Sequence, residues 1–132
     1  MSRSGYYEDY DIDQWQLIRW RGQVASTIRG KNGQAFLKEL LKALEAMPEK
    51  RLIAGDLIKD GAVCTLGAVG RQRQINMSEI DPEDYEEVAA TFGITHQLVR
   101  EIEWMNDEMH YRDDEDRWQK MHDWVAKQIK EP

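Results

Sequence analysis

The sequence predicts an all-α fold, a single bundle of about five to six helices. Three observations lead to this prediction. Apolar side chains recur every three or four residues along most of the chain, residues that begin or end helices separate these periodic segments, and 41% hydrophobic with 33% charged residues suits a core under a charged surface. At 132 residues the chain is long enough for one core, so we expect residues 13–132 to form one domain and residues 1–12 a flexible acidic arm.

Two helices are predicted between residues 13 and 47. Asp13 is a suitable N-cap for the first helix, and Gly30 stands where a left-handed cap is expected to end it. The second helix is predicted to open with Asn32 as N-cap and to end before Pro48. Because the link between the two is short, we expect an antiparallel helical hairpin. The stripe that we expect the first helix to bury consists of Trp15, Leu17, Ile18, Val24, Ala25 and Ile28.

Residues 51–73 allow two interpretations. The favoured one is a helix that follows a turn at Asp60-Gly61 and carries Ala62, Val63, Leu66 and Val69 on one face. The alternative is a β-hairpin formed by residues 51–54 and 62–66.

Three further helices are predicted in the second half of the chain. Asp81-Pro82-Glu83 has the residues of a helix start, and this helix runs to Phe92, where Gly93 breaks it. Thr95 opens the next helix, which ends near residues 106–107. The last helix begins in the acidic run 113–116, ends with Lys127 and Lys130, and is expected to bury Trp118, Met121, Val125 and Ile129. All five tryptophans lie in predicted helices, and we expect most of them to be buried.

The segment 82–107 has the layout of a helix-turn-helix. The small Ala89 and the turn residue Gly93 fit this motif. In a DNA-binding protein the exposed start of the second helix would contact bases, and the residues in that position are Thr95, His96, Gln97 and Arg100. Any two helices joined by a glycine turn need the same small, glycine and apolar residues for packing, whether or not the protein binds DNA. The carboxylates around Arg100 also oppose phosphate binding. We therefore favour a structural role and keep DNA binding as the alternative.

The amino-terminal arm combines aromatic and acidic residues. Its candidate partner-binding residues are Tyr6, Tyr7, Glu8, Asp9, Tyr10 and Asp11. Tyrosine provides contact area at low entropic cost, and carboxylates attract cations, so this composition suits docking on a basic surface. The alternative is a solvated tail.

Charge and cysteine usage exclude several classes of protein. The chain has 25 acidic and 18 basic residues and a net charge of -7, which opposes non-specific binding to nucleic acid or anionic membranes. Cys64 is the only cysteine, so an intrachain disulfide is impossible and a reducing cytoplasm is expected. We also find no run of about 18 apolar residues and no signal-peptide core, so we expect a cytoplasmic protein.

Catalytic and metal-binding patterns are missing from the sequence. His96, His110 and His122 are too far apart to share a helical turn, and neither a nucleophile elbow nor a phosphate loop is present. Cys64 stands among Ala, Val and Leu, which favours a buried apolar role. We predict no catalytic residue, no metal and no cofactor.

Several blocks of the sequence resemble small uncharacterised proteins of bacteriophages and prophages. They are Ser2-Arg3-Ser4-Gly5-Tyr6, the block from Gly61 to Gly70, Asn106-Asp107-Glu108, Arg117-Trp118 and Trp124-Val125. The resemblance spans most of the chain and implies no established activity. It implies a small protein that acts in a bacterial host cell, where it binds a host protein complex and alters its activity. Anti-defence inhibitors are one class of such proteins.

These observations favour a non-enzymatic binding protein that docks on a basic host or phage protein and modulates it. A helix-turn-helix DNA-binding regulator is the first alternative, and an enzyme with an unrecognised site is the second. A homodimer is also compatible with the sequence, because a second copy could bury an apolar stripe left over on residues 13–47.

Overall fold

The computed structural model describes residues 3–4 and 14–130, and helices dominate them. In chain order the elements are α1 (Gln14–Arg29), α2 (Lys31–Ala46), β1 (Ile58–Lys59), β2 (Ala62–Val63), α3 (Thr65–Gln72), α4 (Tyr85–Phe92), α5 (His96–Glu108) and α6 (Asp114–Gln128). The antiparallel pair of β1 and β2 is the only sheet in this part of the chain. The prediction of an all-α helical bundle is confirmed.

Helix α2 lies at the centre of the bundle. Its apolar stripe, with Leu37, Leu40 and Leu44 fully buried, packs against α3 and α6. The indole nitrogen of Trp118 donates to the carbonyl of Leu44 over 3.2 Å, and the Gln34 amide at the other end of α2 donates to the carbonyl of Gln128 over 2.9 Å. Helices α2 and α6 therefore run antiparallel.

The helix-turn-helix layout is present in α4 and α5. Gly93 has a left-handed conformation with φ of 71°, and the Thr95 side chain accepts a hydrogen bond from the amide of Leu98 over 3.2 Å. The Phe92 ring meets the Phe36 ring of α2 edge to face, at 6.2 Å between centroids. The predicted end of α4, the glycine turn and the predicted start of α5 are confirmed.

Residues 51–73 combine parts of both interpretations. The predicted turn is present, with φ of 52° at Asp60 and 81° at Gly61, but it joins strands 58–59 and 62–63 instead of 51–54 and 62–66. The helix starts at Thr65 instead of Ala62, because the Cys64 side chain caps it by accepting from the amide of Gly67. Both predictions for this region were therefore wrong in their boundaries.

The junction between α1 and α2 also differs from the prediction. Helix α2 begins at Lys31, one residue before Asn32, and Gly30 is extended with φ of -66° instead of left-handed. The chain reverses so sharply that Gly33 packs on the backbone carbonyl of Thr27, where a Cβ atom would come within 1.8 Å. This close approach, which only glycine allows, packs the first turn of α2 against the end of α1.

Helix α4 begins three residues later than predicted. Asp81 does not cap a helix at Pro82; its carboxylate accepts from the amide two residues further on and closes a turn. Asp84 is the N-cap instead, because its carboxylate accepts from the amide of Glu87 and Tyr85 then opens the helix. Two aspartates compete for the same capping role, and the second one fills it.

The amino-terminal half of α1 contradicts the expected buried stripe. Trp15 is 73% exposed, Ile18 is 55% exposed and Leu17 is 48% exposed, whereas Val24 is buried. Among the tryptophans only Trp118 is buried, so the expectation that most are buried was also wrong. No helix in the described residues is long and apolar enough to cross a membrane.

Candidate functional sites

A buried polar cluster, here called the Arg3 cluster, consists of Arg3, Cys64, Glu103 and Asp107. The Arg3 guanidinium donates to both carboxylate oxygens of Asp107, over 2.6 and 2.9 Å, and its Nη1 lies 3.6 Å from the Cys64 sulfur. The same nitrogen lies 3.8 Å from Oε2 of Glu103. The arginine side chain is 2% exposed, so this ion pair is shielded from water. A bidentate arginine–carboxylate pair in such an environment is strong and geometrically specific.

Glu103 is the least satisfied member of the cluster. Its side chain is 0% exposed, and neither carboxylate oxygen has a hydrogen-bond partner in the described part of the chain. Burial raises the pKa of Glu103 to about 8, and the attraction of Arg3 only partly opposes this shift. Arg3 pairs with Asp107 at shorter distance, and the negative charge of Asp107 also raises the pKa of Glu103, whereas Arg100 lowers it.

Asn106 and Arg117 form a polar layer beside the Arg3 cluster. Asn106 accepts from both the amide and the hydroxyl of Thr65, over 3.1 and 2.7 Å, and donates to the carbonyl of Ile53 over 2.9 Å. Arg117 donates to the carbonyl of Asn106 over 2.8 Å and to that of Leu52 over 3.1 Å. These bonds join α3, α5, α6 and the segment before β1, which fixes the walls of the cluster.

Four segments that are distant in the sequence meet at this place. They contribute Arg3, Cys64, Asn106 with Asp107, and Arg117, and hydrogen bonds connect these residues. Sequence reasoning did not predict the cluster. A signal was available, because Glu103 lies on the same face of α5 as the buried Val99 and Asn106, where a charge is unexpected.

The described residues offer no evident catalytic or metal-binding arrangement. Burial raises the pKa of the Cys64 thiol, which disfavours the reactive thiolate. No group of three or more His, Cys, Asp or Glu side chains in the ranges 3–4 and 14–130 is placed to hold a metal ion. His122 stacks on Trp118 with centroids 5.0 Å apart, so it belongs to the packing between α2 and α6. The predicted burial of Cys64 is confirmed, but its apolar role is not, because the sulfur accepts from the Gly67 amide and from the Arg3 guanidinium.

Arg100 does not lie on the exposed start of the recognition helix, as the DNA-binding alternative expects. It is 7% exposed, and its guanidinium stacks on the rings of Trp20 and Tyr85, 4.5 and 4.7 Å from their centroids. Its Nε donates to the backbone carbonyl of Ser4 over 2.6 Å. The helix-turn-helix expectation was wrong for this residue, because aromatic side chains from α1 and α4 cover the cation.

The other three predicted DNA-contacting residues are also engaged or half-buried. The Thr95 hydroxyl lies 2.7 Å from that of Thr27, in addition to capping α5. The His96 ring lies near the rings of Trp20 and Tyr85, at 6.1 and 5.7 Å, and Gln97 is half-buried. The structure thus brings these residues together at the junction of α1, α4 and α5.

The amino-terminal arm is only partly described. The predicted partner-binding residues 6–11 lie outside the described residues. Arg3 and Ser4 are described and buried, so the expectation of a flexible arm was wrong for these two residues. Arg3 bonds to a carboxylate 104 positions away, a contact that no local pattern indicates.

A second candidate site is the α1 outer face, defined as Trp15, Ile18, Arg19, Gly22 and Arg29. Helical spacing places these residues away from the buried Val24. A Cβ atom added at Gly22 would meet nothing within 4 Å, which agrees with an open face. The sequence of α1 contains three arginines and no acid, in a chain of net charge -7. Trp15 and Ile18 thus form an apolar patch beside a cation.

Comparison with known proteins gives no match. No protein-family model, no curated protein and no solved structure is similar to this chain.

Proposed function

We propose that this protein is a non-enzymatic binding protein that docks on another protein through the α1 outer face and modulates it. The observation that carries the proposal is the exposure of Trp15 and Ile18, one helical turn apart. Exposed large apolar side chains grouped in this way are typical of protein-binding surfaces, and tryptophan is among the residues that contribute most to binding energy.

The charges of the chain support a basic partner. The candidate contacts Tyr6, Tyr7, Glu8, Asp9, Tyr10 and Asp11 directly precede α1 in sequence, so the acidic arm and the α1 outer face form one continuous stretch of chain. The side-chain charge along this stretch changes sign, because carboxylates precede the helix and arginines lie along it. Such a pattern would select one orientation of a partner. A host or phage protein with an apolar slot beside a basic patch has the complementary chemistry, and inhibition of a host defence protein is one form that the modulation would take.

The two alternatives receive less support from the geometry. DNA binding at the start of α5 would lack Arg100, which is stacked and buried, and would place the acidic surface of α4 near phosphates. An enzyme would need an open cleft with converging acid, base or nucleophile, whereas the Arg3 cluster is closed to solvent and its thiol has a raised pKa.

The experiment compares cross-linked partners of three variants in host lysate. Trp15→Ser should reduce capture of a specific partner by roughly 30-fold, the effect of losing about 2 kcal/mol at a hot spot. Ile58→Ser is the matched control, because Ile58 is also an exposed apolar residue but lies on the β-hairpin. Combined Glu8→Gln and Asp9→Asn changes should weaken capture mainly at low salt.

Two results would count against the proposal. Equal capture by Trp15→Ser and by Ile58→Ser would show that the α1 outer face is not the contact. A gel shift with phage promoter DNA would favour the DNA-binding alternative instead, if the affinity for DNA rises at low salt and is reduced in Gln97→Ala.

A further inference from the structure

We propose that the cleft formed by Cys64, Glu103 and Asp107, which this chain closes with its own Arg3-Ser4 turn, is a binding site for an arginine side chain of a peptide. The inference is independent of the α1 outer face. It concerns a second site, with a ligand of defined chemistry: a guanidinium followed by a peptide carbonyl.

The guanidinium end of the cleft is specific. Asp107 accepts two parallel hydrogen bonds, from Nε and Nη2 of Arg3, which a lysine ammonium cannot reproduce. The opposite edge of the guanidinium faces the Cys64 sulfur and Oε2 of Glu103. Each of the three guanidinium nitrogens therefore faces an acceptor or an acidic group of the cleft.

The backbone end recognises a peptide. Arg100 donates to the carbonyl of Ser4 over 2.6 Å, directly after the bound arginine. Arg100 is held in place by the rings of Trp20 and Tyr85, so its donor is already oriented. Two-point recognition of this kind distinguishes an arginine within a peptide from a free guanidinium ion.

An unsatisfied group within the cleft is the independent observation. Glu103 is fully enclosed and lies 3.8 Å from the bound guanidinium, and neither of its oxygens has a hydrogen-bond partner among the described residues. A buried polar group without a partner is costly, and such groups are concentrated where a ligand or a functional constraint accounts for them. Together with Asp107 it gives the cleft more acceptors than one arginine engages.

The test uses the full chain with Arg3→Ala, which empties the guanidinium position. Ethylguanidinium should raise the melting temperature saturably, by about 4 °C at about tenfold above its Kd, whereas the neutral isostere ethylurea should not. The peptide acetyl-Ser-Arg-Ser-amide should bind the same variant more tightly than ethylguanidinium does, and its citrulline counterpart should fail. Adding Asp107→Asn should abolish binding, and the exposed Asp123→Asn should leave it unchanged.

Arg3→Lys provides a second variant in case Arg3→Ala does not fold. It keeps a cation in the cleft without the bidentate pair, so the arginine peptide should still displace it. Wild-type protein should show no binding below millimolar peptide, because its own Arg3 competes at high effective concentration. Three results would overturn the proposal. They are a rise in melting temperature with ethylguanidinium but no binding of the peptide, equal binding of the arginine and citrulline peptides, and no saturable binding to either folded variant.

Discussion

Replacing Glu103 by glutamine tests the electrostatics of the Arg3 cluster most directly. The pKa of this carboxyl rises from 4.5 to about 8 in the folded protein, chiefly because burial disfavours the charged form. The folded state then binds more protons than the unfolded state between these two values. Stability must therefore fall as pH rises through this window, the opposite of the usual behaviour of a salt-bridged carboxylate.

The structure sets the size of the effect. The gap between the two pKa values corresponds to about 5 kcal/mol at full deprotonation, a large part of the stability of a domain of this size. Glutamine has the same shape and does not titrate, so Glu103→Gln should lie within about 1 kcal/mol of wild type at pH 5. At pH 8 the variant should be the more stable protein by several kcal/mol, because the wild-type carboxyl is ionised at no cost in the unfolded chain, whereas folding forces it either to take up a proton or to be buried as a charge.

Urea denaturation at pH 5, 6.5 and 8 measures the difference. Comparing each variant with wild type at the same pH cancels the contributions of the histidines. The exposed Glu83→Gln is the matched control and should follow wild type throughout. Asp107→Asn should reduce the pH dependence, since it frees Arg3 to pair with Glu103. Parallel stability curves for wild type and Glu103→Gln would refute the reasoning, because they would mean that Glu103 is ionised in the fold at all three pH values.

Three further predictions concern packing and the polar layer. Gly67→Ala places a Cβ atom 2.0 Å from the carbonyl oxygen of Leu57, so we expect a loss of more than about 3 kcal/mol in urea unfolding. Gly22→Ala, in the open middle of α1, should instead raise stability by about 0.5–1 kcal/mol, and the opposite sign at either position would contradict the described packing. Asn106→Ala should lower the melting temperature by roughly 10 °C, because it leaves the Thr65 amide and hydroxyl and the Ile53 carbonyl without their partner. Asn76→Ala, which removes only a local cap, is its control and should cost about 1 kcal/mol.

Local patterns in the sequence determined most of the helices. The apolar spacing of α2 and α6, the glycine after Phe92 and the Thr95 cap act within one or two helical turns, and their predictions are confirmed. Boundaries failed where two local signals competed. At residues 81–84 two aspartates were available as caps, and at residues 30–33 Gly30 instead of Asn32 precedes the first residue of the helix.

Only the tertiary structure decided which polar and apolar groups are enclosed. The sequence pattern predicted burial of Trp15, Ile18 and Val24 alike, but the bundle covers Val24 and leaves Trp15 and Ile18, which lie on another side of α1, exposed. The Arg3 cluster depends on two contacts of Arg3, with Cys64 and with Asp107, which are 61 and 104 positions away in the sequence. A periodic pattern contains no information on such distant pairs. Periodicity reports which side of a helix is apolar, whereas burial of a charge depends on which distant groups surround it.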